Sequence, residues 1–351
     1  MDGKKIAVLG SGANGSSIGS DLTRAGLDVV LIDQWPAHVE AMRANGLTVH
    51  LDGEETNTPV RAYHLCDLAT FTHRFDIVLM LFKAYDSRWA ARLIEPYLAD
   101  DGLLVGAQNG MSALAIADVV GASRTLGCVI EVGSELWEPG VVRRSTPHSG
   151  VGSSWFAVGS LDPATAGREE EVASVLRHSG AVEVSPDILS SKWMKLVLNC
   201  MELANSAMTG LPLDVAENLR GMREIALAAG TEALAAGQAQ GFTIQPIIGL
   251  KPEDVQNTNR LLETLLDRLA VIARPGTWTT MHCDQAKGRL TETDDINGAV
   301  VRALAERGGR APVNAALCEI TRRIHAGELK PDPANVALVR ELAGLGPVRA
   351  G

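Results

Sequence analysis

Residues 5–15 read KIAVLGSGANG: a short apolar run from Ile6 to Leu9 breaks into Gly10, Gly12 and Gly15, and helix-forming residues follow. Four apolar residues without alternation suit a strand buried on both faces. The spacing G-x-G-x-x-G is weak evidence alone. Between a strand and a helix it becomes the signature of a dinucleotide-binding turn. Gly10 permits the tight turn, Gly12 lets the backbone approach a pyrophosphate, and Gly15 lets the helix pack on the strand. Ala13 and Asn14 complete the expected cofactor-binding loop. The helix start behind them offers N–H groups and a positive dipole end to the phosphates. A purely structural glycine turn is the competing reading.

Downstream, VVLIDQW at 29–35 ends a second strand at Asp33. An acidic residue about 20 positions beyond the glycines binds the adenosine ribose in such folds. Its carboxylate accepts from a 2′-hydroxyl and repels a 2′-phosphate. Gln34, Trp35 and Pro36 follow and bring no positive charge. NAD is therefore the expected cofactor, with NADP as the lesser option; a plain strand-end aspartate competes.

Further strand-like runs, DIVLMLF at 76–82 and GLLVGAQ at 102–108, alternate with the helix-spaced segments 16–26, 38–46 and 87–98. Alternation of this kind predicts βαβ units and a doubly wound parallel sheet of Rossmann type. After about residue 105, TLGCVIEVGSEL, GVVRRSTP and SSWFAVG read as antiparallel strands that extend or edge that sheet. From about residue 187 the strand signals stop. Segments 224–241, 261–273, 296–309 and 313–327 have helical periodicity with Gly or Pro near their ends. The expected class is α/β, with a Rossmann domain over 1–186 and an all-helical substrate and dimerisation domain over 187–351. VSPDILSSKW at 184–193 joins them without a long linker, and neither repeats nor low-complexity segments appear beyond an Ala/Gly-rich helix at 226–240.

Composition narrows the function. The chain has 351 residues, 46% hydrophobic and 21% charged, which is enough apolar content for sizeable cores. A net charge of −10 without a basic tract argues against nucleic acid and anionic membrane as partners. No apolar run approaches the ~18 residues of a membrane span, and IAVLG meets glycines too soon for a signal peptide. The expected location is the cytoplasm. Cys66, Cys128, Cys200, Cys283 and Cys318 are scattered singly, so neither a disulfide framework nor a zinc site is expected. His282 and Cys283 are adjacent and point apart on a helix, so no metal is expected there.

SKWMKLVLNCMELANSA at 191–207 sets a lysine inside an apolar run. At about 100° per residue, Asn199 lies roughly 40° from Lys195 and Glu202 within about 20°, with Lys192 and Ser206 near the same line. Nearly everything else in the segment is apolar, which predicts a mostly buried helix with one narrow polar stripe. The stripe is either a thin solvent face, with the lysine snorkelling to water, or the lining of a reactive cleft.

Taken in order, VLGSGANG, LFKAYD, AQNGM, KWMKLVLNC and GRLTETDDINGAVV resemble the ketopantoate reductase (2-dehydropantoate 2-reductase) family over residues 4 to about 325. The resemblance implies an N-terminal Rossmann domain, a helical C-terminal domain, and a substrate cleft between them. It assigns Lys195 as the catalytic lysine and Asn199 as a substrate contact one turn later. Asn109 falls at the junction of cofactor and substrate, Lys83 near the nicotinamide end, and Glu292 beside the cofactor. Such a set has a physical purpose. Hydride arriving at a ketone builds negative charge on oxygen, and an ammonium there stabilises it and delivers the proton. A lysine of ordinary pKa, about 10.4, is protonated at neutral pH; a nearby carboxylate such as Glu202 or Glu292 strengthens that state and desolvation opposes it. In the oxidative direction Lys195 would act as the base.

Three positions depart from the family pattern. Asp33-Gln34 stands where the family usually carries an arginine for the 2′-phosphate of NADPH, which points to NAD and an oxidative, catabolic direction. The family's second substrate asparagine falls on Leu203, and Asn205 lies off the Lys195 line and does not simply replace it. The family's serine before Met falls on Thr280, a candidate substrate contact, with Trp278 and His282 adding bulk nearby. The leading expectation is a nicotinamide-dependent oxidoreductase on a small 2-keto or 2-hydroxy acid. Its alternatives are an NAD-dependent catabolic dehydrogenase on another hydroxy acid or secondary alcohol, and a dinucleotide sensor without chemistry. The chain exceeds a minimal two-domain reductase, which suggests a homodimer.

Overall fold

The computed structural model describes residues 3–255 and 258–346. Residues 1–2, 256–257 and 347–351, which fall within the two expected domain ranges, lie outside the described residues. The chain forms two compact units, Met1–Leu189 and Ser190–Gly351.

The strands all lie in the first unit: β1 (Ile6–Leu9), β2 (Val29–Asp33), β3 (Leu47–Leu51), β4 (Glu54–Thr58), β5 (Ala62–His64), β6 (Phe75–Met80), β7 (Leu98–Gly106), β8 (Thr125–Glu131), β9 (Ser134–Glu138), β10 (Val141–Arg144), β11 (Trp155–Ser160) and β12 (Ala181–Val184). Its helices are α1 (Ala13–Arg24), α2 (Pro36–Asn45), α3 (Ser87–Ile94), α4 (Ser112–Val120) and α5 (Glu169–Leu176). Eight strands form one sheet in the order β12-β11-β8-β7-β6-β1-β2-β5. From β5 across to β8 every pairing is parallel, and β11 runs antiparallel to β8. β1 shows why its run is continuously apolar. Ile6 and Val8 enter one core with Ile18, Leu22 and Leu31, while Ala7 and Leu9 enter the opposite core with Ile32, Phe75 and Val78. A strand buried on both faces has no polar positions to alternate.

The expectation that antiparallel strands after residue 105 extend or edge this sheet holds for β11, holds for β8 in place but not in direction, since β8 joins parallel to β7, and fails for β9 and β10. Those two leave it for a separate four-stranded sheet, order β4-β3-β10-β9. Pro139 and Gly140 (φ 78°) make the turn between β9 and β10. The Gly140 carbonyl accepts from Thr48 N at 2.9 Å, and its N–H donates to His38 Nδ1 at 2.9 Å. The turn is thereby fixed to β3 and α2, which carries its flanking strands off the main sheet.

The second unit is helical: α6 (Ile188–Ala207, entering from the first unit), α7 (Leu213–Ala216), α8 (Met222–Ala239), α9 (Pro252–Val255), α10 (Leu261–Ile272), α11 (Thr280–Ala286), α12 (Thr293–Ala305), α13 (Pro312–His325) and α14 (Asn335–Ala343). The small residues of α8 set its spacing from α6. A Cβ at Gly237 would lie 2.1 Å from Trp193 Nε1, and one at Gly230 would lie 2.6 Å from Met201 Sδ. With that space free, the Trp193 indole donates to Ala233 O at 2.9 Å and stacks on Phe242. Glu232 of α8 accepts from Val313 N at 2.9 Å and Asn314 N at 3.0 Å, capping α13 with a carboxylate where its free N–H groups and dipole favour one. Asn297 of α12 donates to Asn314 Oδ1 at 2.9 Å. Thus the asparagine of the ING signature braces α12 against α13. Among the described residues, no helix is long and apolar enough to cross a membrane.

Candidate active site

The first unit gathers its share of the expected residues at the carboxyl ends of four adjacent parallel strands. These ends are where ligands bind in open α/β sheets. Gly10 follows β1 with φ 97°, a conformation that favours glycine. A Cβ there would strike Phe82 N at 2.5 Å, so residues 81–83 at the end of β6 pass directly against the loop. Leu81 N donates to Leu9 O at 2.8 Å and secures that approach, and the half-buried Lys83 follows next in the chain. Gly15 is equally constrained: its Cβ would fall 2.1 Å from Gly10 O. Gly12 differs, since a Cβ there meets nothing within 4 Å.

That open face above Gly12 tests the fit to a dinucleotide. It leaves room for a phosphate to approach the backbone, at the start of the twelve-residue helix α1. Asn14 Oδ1 is buried without a hydrogen-bond partner, an acceptor available to a ligand hydroxyl or amide. Asp33 ends β2 almost fully buried, and its Oδ1 accepts from Trp35 N at 2.8 Å. Asn109 lies half-buried in the turn after β7, whose Ala107 N–H donates to Met80 O. These residues fit a dinucleotide.

Sequence reasoning missed His38. It is fully buried beneath the loop, where Nδ1 accepts from Gly140 N and Nε2 lies 2.9 Å from Ser11 O. Because Nδ1 is an acceptor, Nε2 carries the ring proton and donates it to the loop carbonyl. Ser16 Oγ donates to the same carbonyl at 2.6 Å. The signal was faint, a lone histidine on an amphipathic helix.

The second unit holds the lysine. Lys195 is 8% exposed, Asn199 1% and Glu202 6%, so the stripe of α6 is not a solvent face. Burial of the whole stripe is not the pattern of a lysine snorkelling from a solvent face. Instead, Lys195 Nζ stands 3.8 Å from Glu202 Oε1. Leu203, also buried, presents its carbonyl to Thr279 Oγ1 at 3.5 Å. Thr279 caps α11 by accepting from His282 N, which orients the next residue, Thr280, whose buried Oγ1 has no partner. Trp278 stacks on His282 with ring centroids 3.9 Å apart. Glu292 is 3% exposed at the N-terminus of α12, where its carbonyl accepts from Asp295 N and Ile296 N.

Burial pushes the Cys200 thiol well above its ordinary range, and burial with the nearby Asp294 carboxylate pushes Cys318 up to about 12, so neither forms the thiolate a nucleophile needs. Among the described residues, no group of three or more His, Cys, Asp or Glu could hold a metal ion.

A parallel sheet with a glycine-rich turn at its ligand-binding edge, followed by a helical unit burying a lysine, defines a nicotinamide-dependent oxidoreductase acting on a CH–OH or C=O group. Residues 6–157 match the family Ketopantoate reductase PanE/ApbA, and residues 187–325 match Ketopantoate reductase PanE/ApbA C terminal. The chain belongs to the ketopantoate reductase family. A 2-dehydropantoate 2-reductase of Mesorhizobium japonicum is 30% identical over 259 residues, covering 68% of this chain and 77% of that protein. The one from Archaeoglobus fulgidus is 25% identical over 328 residues, covering 92% and 99%. Among solved structures, the PanE/ApbA family ketopantoate reductase from Ralstonia eutropha superposes with a TM-score of 0.76 at 26% identity over 92% of this chain and 99% of that one. A D-mandelate dehydrogenase solved with NADH and anilino(oxo)acetate gives 0.79 at 20% identity over the same shares, a likeness of fold.

Proposed function

We propose that the protein transfers hydride between a nicotinamide dinucleotide, with NAD preferred, and a small 2-keto or 2-hydroxy acid, with Lys195 as proton donor. One observation carries this reading: an ammonium is buried on α6 with Glu202 at 3.8 Å and Asn199 one turn away. A buried charge is costly unless a partner or a function repays it. Gly10, Gly12, Ala13, Asn14 and Gly15 would hold the dinucleotide phosphates, Asp33 the adenosine ribose, and Lys83, Asn109 and Glu292 the nicotinamide half. Bound there, the dinucleotide supplies or accepts the hydride.

The remaining work falls to the chain. In reduction, negative charge grows on the substrate oxygen as its carbonyl carbon is reduced. Lys195 offsets that charge and passes its proton to the same oxygen, while Asn199 and Thr280 hold the substrate by hydrogen bonds. In oxidation, Lys195 takes the hydroxyl proton. Glu202 steadies the ammonium before the proton leaves.

NAD is favoured by two features. Asp33 puts a carboxylate where a 2′-phosphate would sit. The nearest basic residue after it, Arg43, is committed to Glu40, Asp67 and the Ala62 carbonyl. Leu203 supports a second reading, a catabolic dehydrogenase for a hydroxy acid other than pantoate, since an apolar side chain stands where the family places an amide. The fold serves both chemistries, as the reductase and the D-mandelate dehydrogenase above illustrate.

Absorbance at 340 nm with purified protein separates the readings. Ketopantoate is tested with NADPH and with NADH, and NAD with a panel of 2-hydroxy acids and secondary alcohols. Rapid NADPH oxidation by ketopantoate supports a biosynthetic reductase and discounts Asp33 and Leu203. NAD reduction by a panel member, with ketopantoate inert, supports the dehydrogenase. Silence in every arm favours a sensor. Sedimentation of the same preparation tests the homodimer.

A further inference from the structure

The helical unit encloses a cavity of about 180 Å³ between α6, α7, α8 and α10. It lies on one side of the α6 stripe. At about 100° per residue, Asn205 and Met201 turn roughly 80° and 120° from Lys195 in one sense, while Asn199 and Leu203 turn roughly 40° and 80° in the other. The cavity therefore lies on the other side of α6 from Asn199 and Leu203 and meets the Lys195 stripe at Glu202 and Ser206.

Its lining is specific. Met201, Leu213, Met222 and Leu269 are buried and supply apolar walls. Asn205 is 2% exposed; its amide N–H donates to Met201 O at 2.6 Å, which fixes the flip, and Oδ1 is left buried with no partner. An unmet buried acceptor is costly, so a donor that reached it would be retained. The charges around it are mainly negative. Glu202 lines the interior, and Glu217, with the Asp267–Arg223 pair at 3.8 Å, stands at the exposed mouth. Partial burial, and after it the neighbouring Asp214, hold the Glu217 carboxyl above its ordinary value against the opposing pull of Arg223. Bare divalent cations need about six or more oxygens, and these walls are too apolar to provide them.

The geometry points to a second small-molecule site in the helical unit, taking a primary ammonium on a short aliphatic body, with an N–H donated to Asn205 Oδ1. At ~30 Å³ per water-sized group the volume suits roughly six non-hydrogen atoms, and a dry cavity of ~150 Å³ is known to accept benzene. Glu202 is shared with the Lys195 pair, so an occupant's charge reaches the lysine through that carboxylate. The binding itself does not depend on the assigned reaction.

The test uses the full chain carrying ¹³C-methyl methionine, titrated with n-butylammonium chloride, butan-1-ol and tetramethylammonium chloride at constant ionic strength. The methyls of Met201 and Met222 should shift saturably with butylammonium. Affinity should exceed that for butanol, which lacks the charge, and for tetramethylammonium, which lacks the N–H, by tenfold or more. Asn205→Leu should weaken butylammonium by about 10- to 100-fold, the range for a hydrogen bond to a charged group. Ala226→Leu should block it by filling the cavity from α8. Glu217→Gln, at an exposed position, should weaken it several-fold without touching the core. Failure of the Met201 and Met222 methyls to saturate, equal affinity for butanol, or binding unchanged in Asn205→Leu and Ala226→Leu would overturn the site. Should Asn205→Leu lose its cooperative melt, Ala226→Leu and Glu217→Gln decide the matter.

Discussion

Lys195 and Glu202 face each other along α6, Nζ to Oε1 at 3.8 Å, with side chains 10% and 7% exposed. The pair ties function to stability. Lys195→Met should reduce turnover by about 10²- to 10⁴-fold, the range for a lost general acid. It should also destabilise the fold by up to about 3–5 kcal/mol, since the buried Glu202 carboxylate loses its ammonium partner. The double variant Lys195→Met/Glu202→Leu removes that charge. It should recover most of the stability in urea while turnover stays absent. Recovery of both, or of neither, would disprove the separation.

Asp33 sets the next expectation. Wild-type protein should prefer NAD, and Asp33→Ser/Gln34→Arg should move the ratio of kcat/KM values towards NADP by at least tenfold, about 1.4 kcal/mol of relative binding. The swap exchanges a repulsive carboxylate for a guanidinium that can pair with the 2′-phosphate. An unchanged ratio would mean that Asp33 does not meet the ribose.

Much of this was legible because it is local. The strand, glycines and helix of 5–15 and the acid of Asp33 occupy fixed spacings, and the α6 stripe follows from helical geometry alone. The small sheet was not legible. LTVHL of β3 alternates apolar and polar residues but is only five residues long, and EETNT of β4 is wholly polar, so neither shows which sheet it joins; the turn that ties β10 beside β3 rests on Gly140 reaching His38 across 102 residues. The cap from Glu232 to α13 was hidden for the same reason: an acid in an Ala-rich helix looks like a solvent face until the other helix is in place. The α6 cavity is a property of packing, with no periodicity to announce it.

Asp21 and Arg144 offer a test in acid. Arg144 is almost wholly buried, with Asp21 Oδ2 at 2.5 Å and three further acceptors on Thr146, Ser154 and Ser179. Burial pushes the Asp21 carboxyl up, but His148, Arg144 and Ser179 together outweigh it and hold the carboxyl below its ordinary value. A depressed folded pKa stabilises the fold above the unfolded value of about 3.9 and loses that contribution as pH falls through the lower folded value. Glu171, held down to about 2 by Arg168 and Lys4 against some burial, acts in the same direction. Asp21→Asn should cost about 3–5 kcal/mol at pH 7 because Arg144 loses its counter-charge. The gap between wild type and variant in urea midpoint should narrow steadily below pH 4. A gap independent of pH would assign the cost to packing.

Gly12 and Gly15 separate binding from folding within one loop. Gly15→Ala places a Cβ 2.1 Å from Gly10 O, a backbone atom that cannot yield, so the thermal midpoint should fall by several degrees along with dinucleotide affinity. Gly12→Ala meets no protein atom within 4 Å and has an ordinary φ of −63°, so its thermal midpoint should stay within about 2 °C of wild type. The same methyl occupies the space through which a pyrophosphate would approach the backbone. NADH affinity, read from quenching of tryptophan fluorescence, should therefore drop by about tenfold or more while the fold is intact. Equal affinity in Gly12→Ala and wild type would show that the open face above Gly12 is not where the phosphates bind, and the assignment of the loop as the dinucleotide cradle would fall with it.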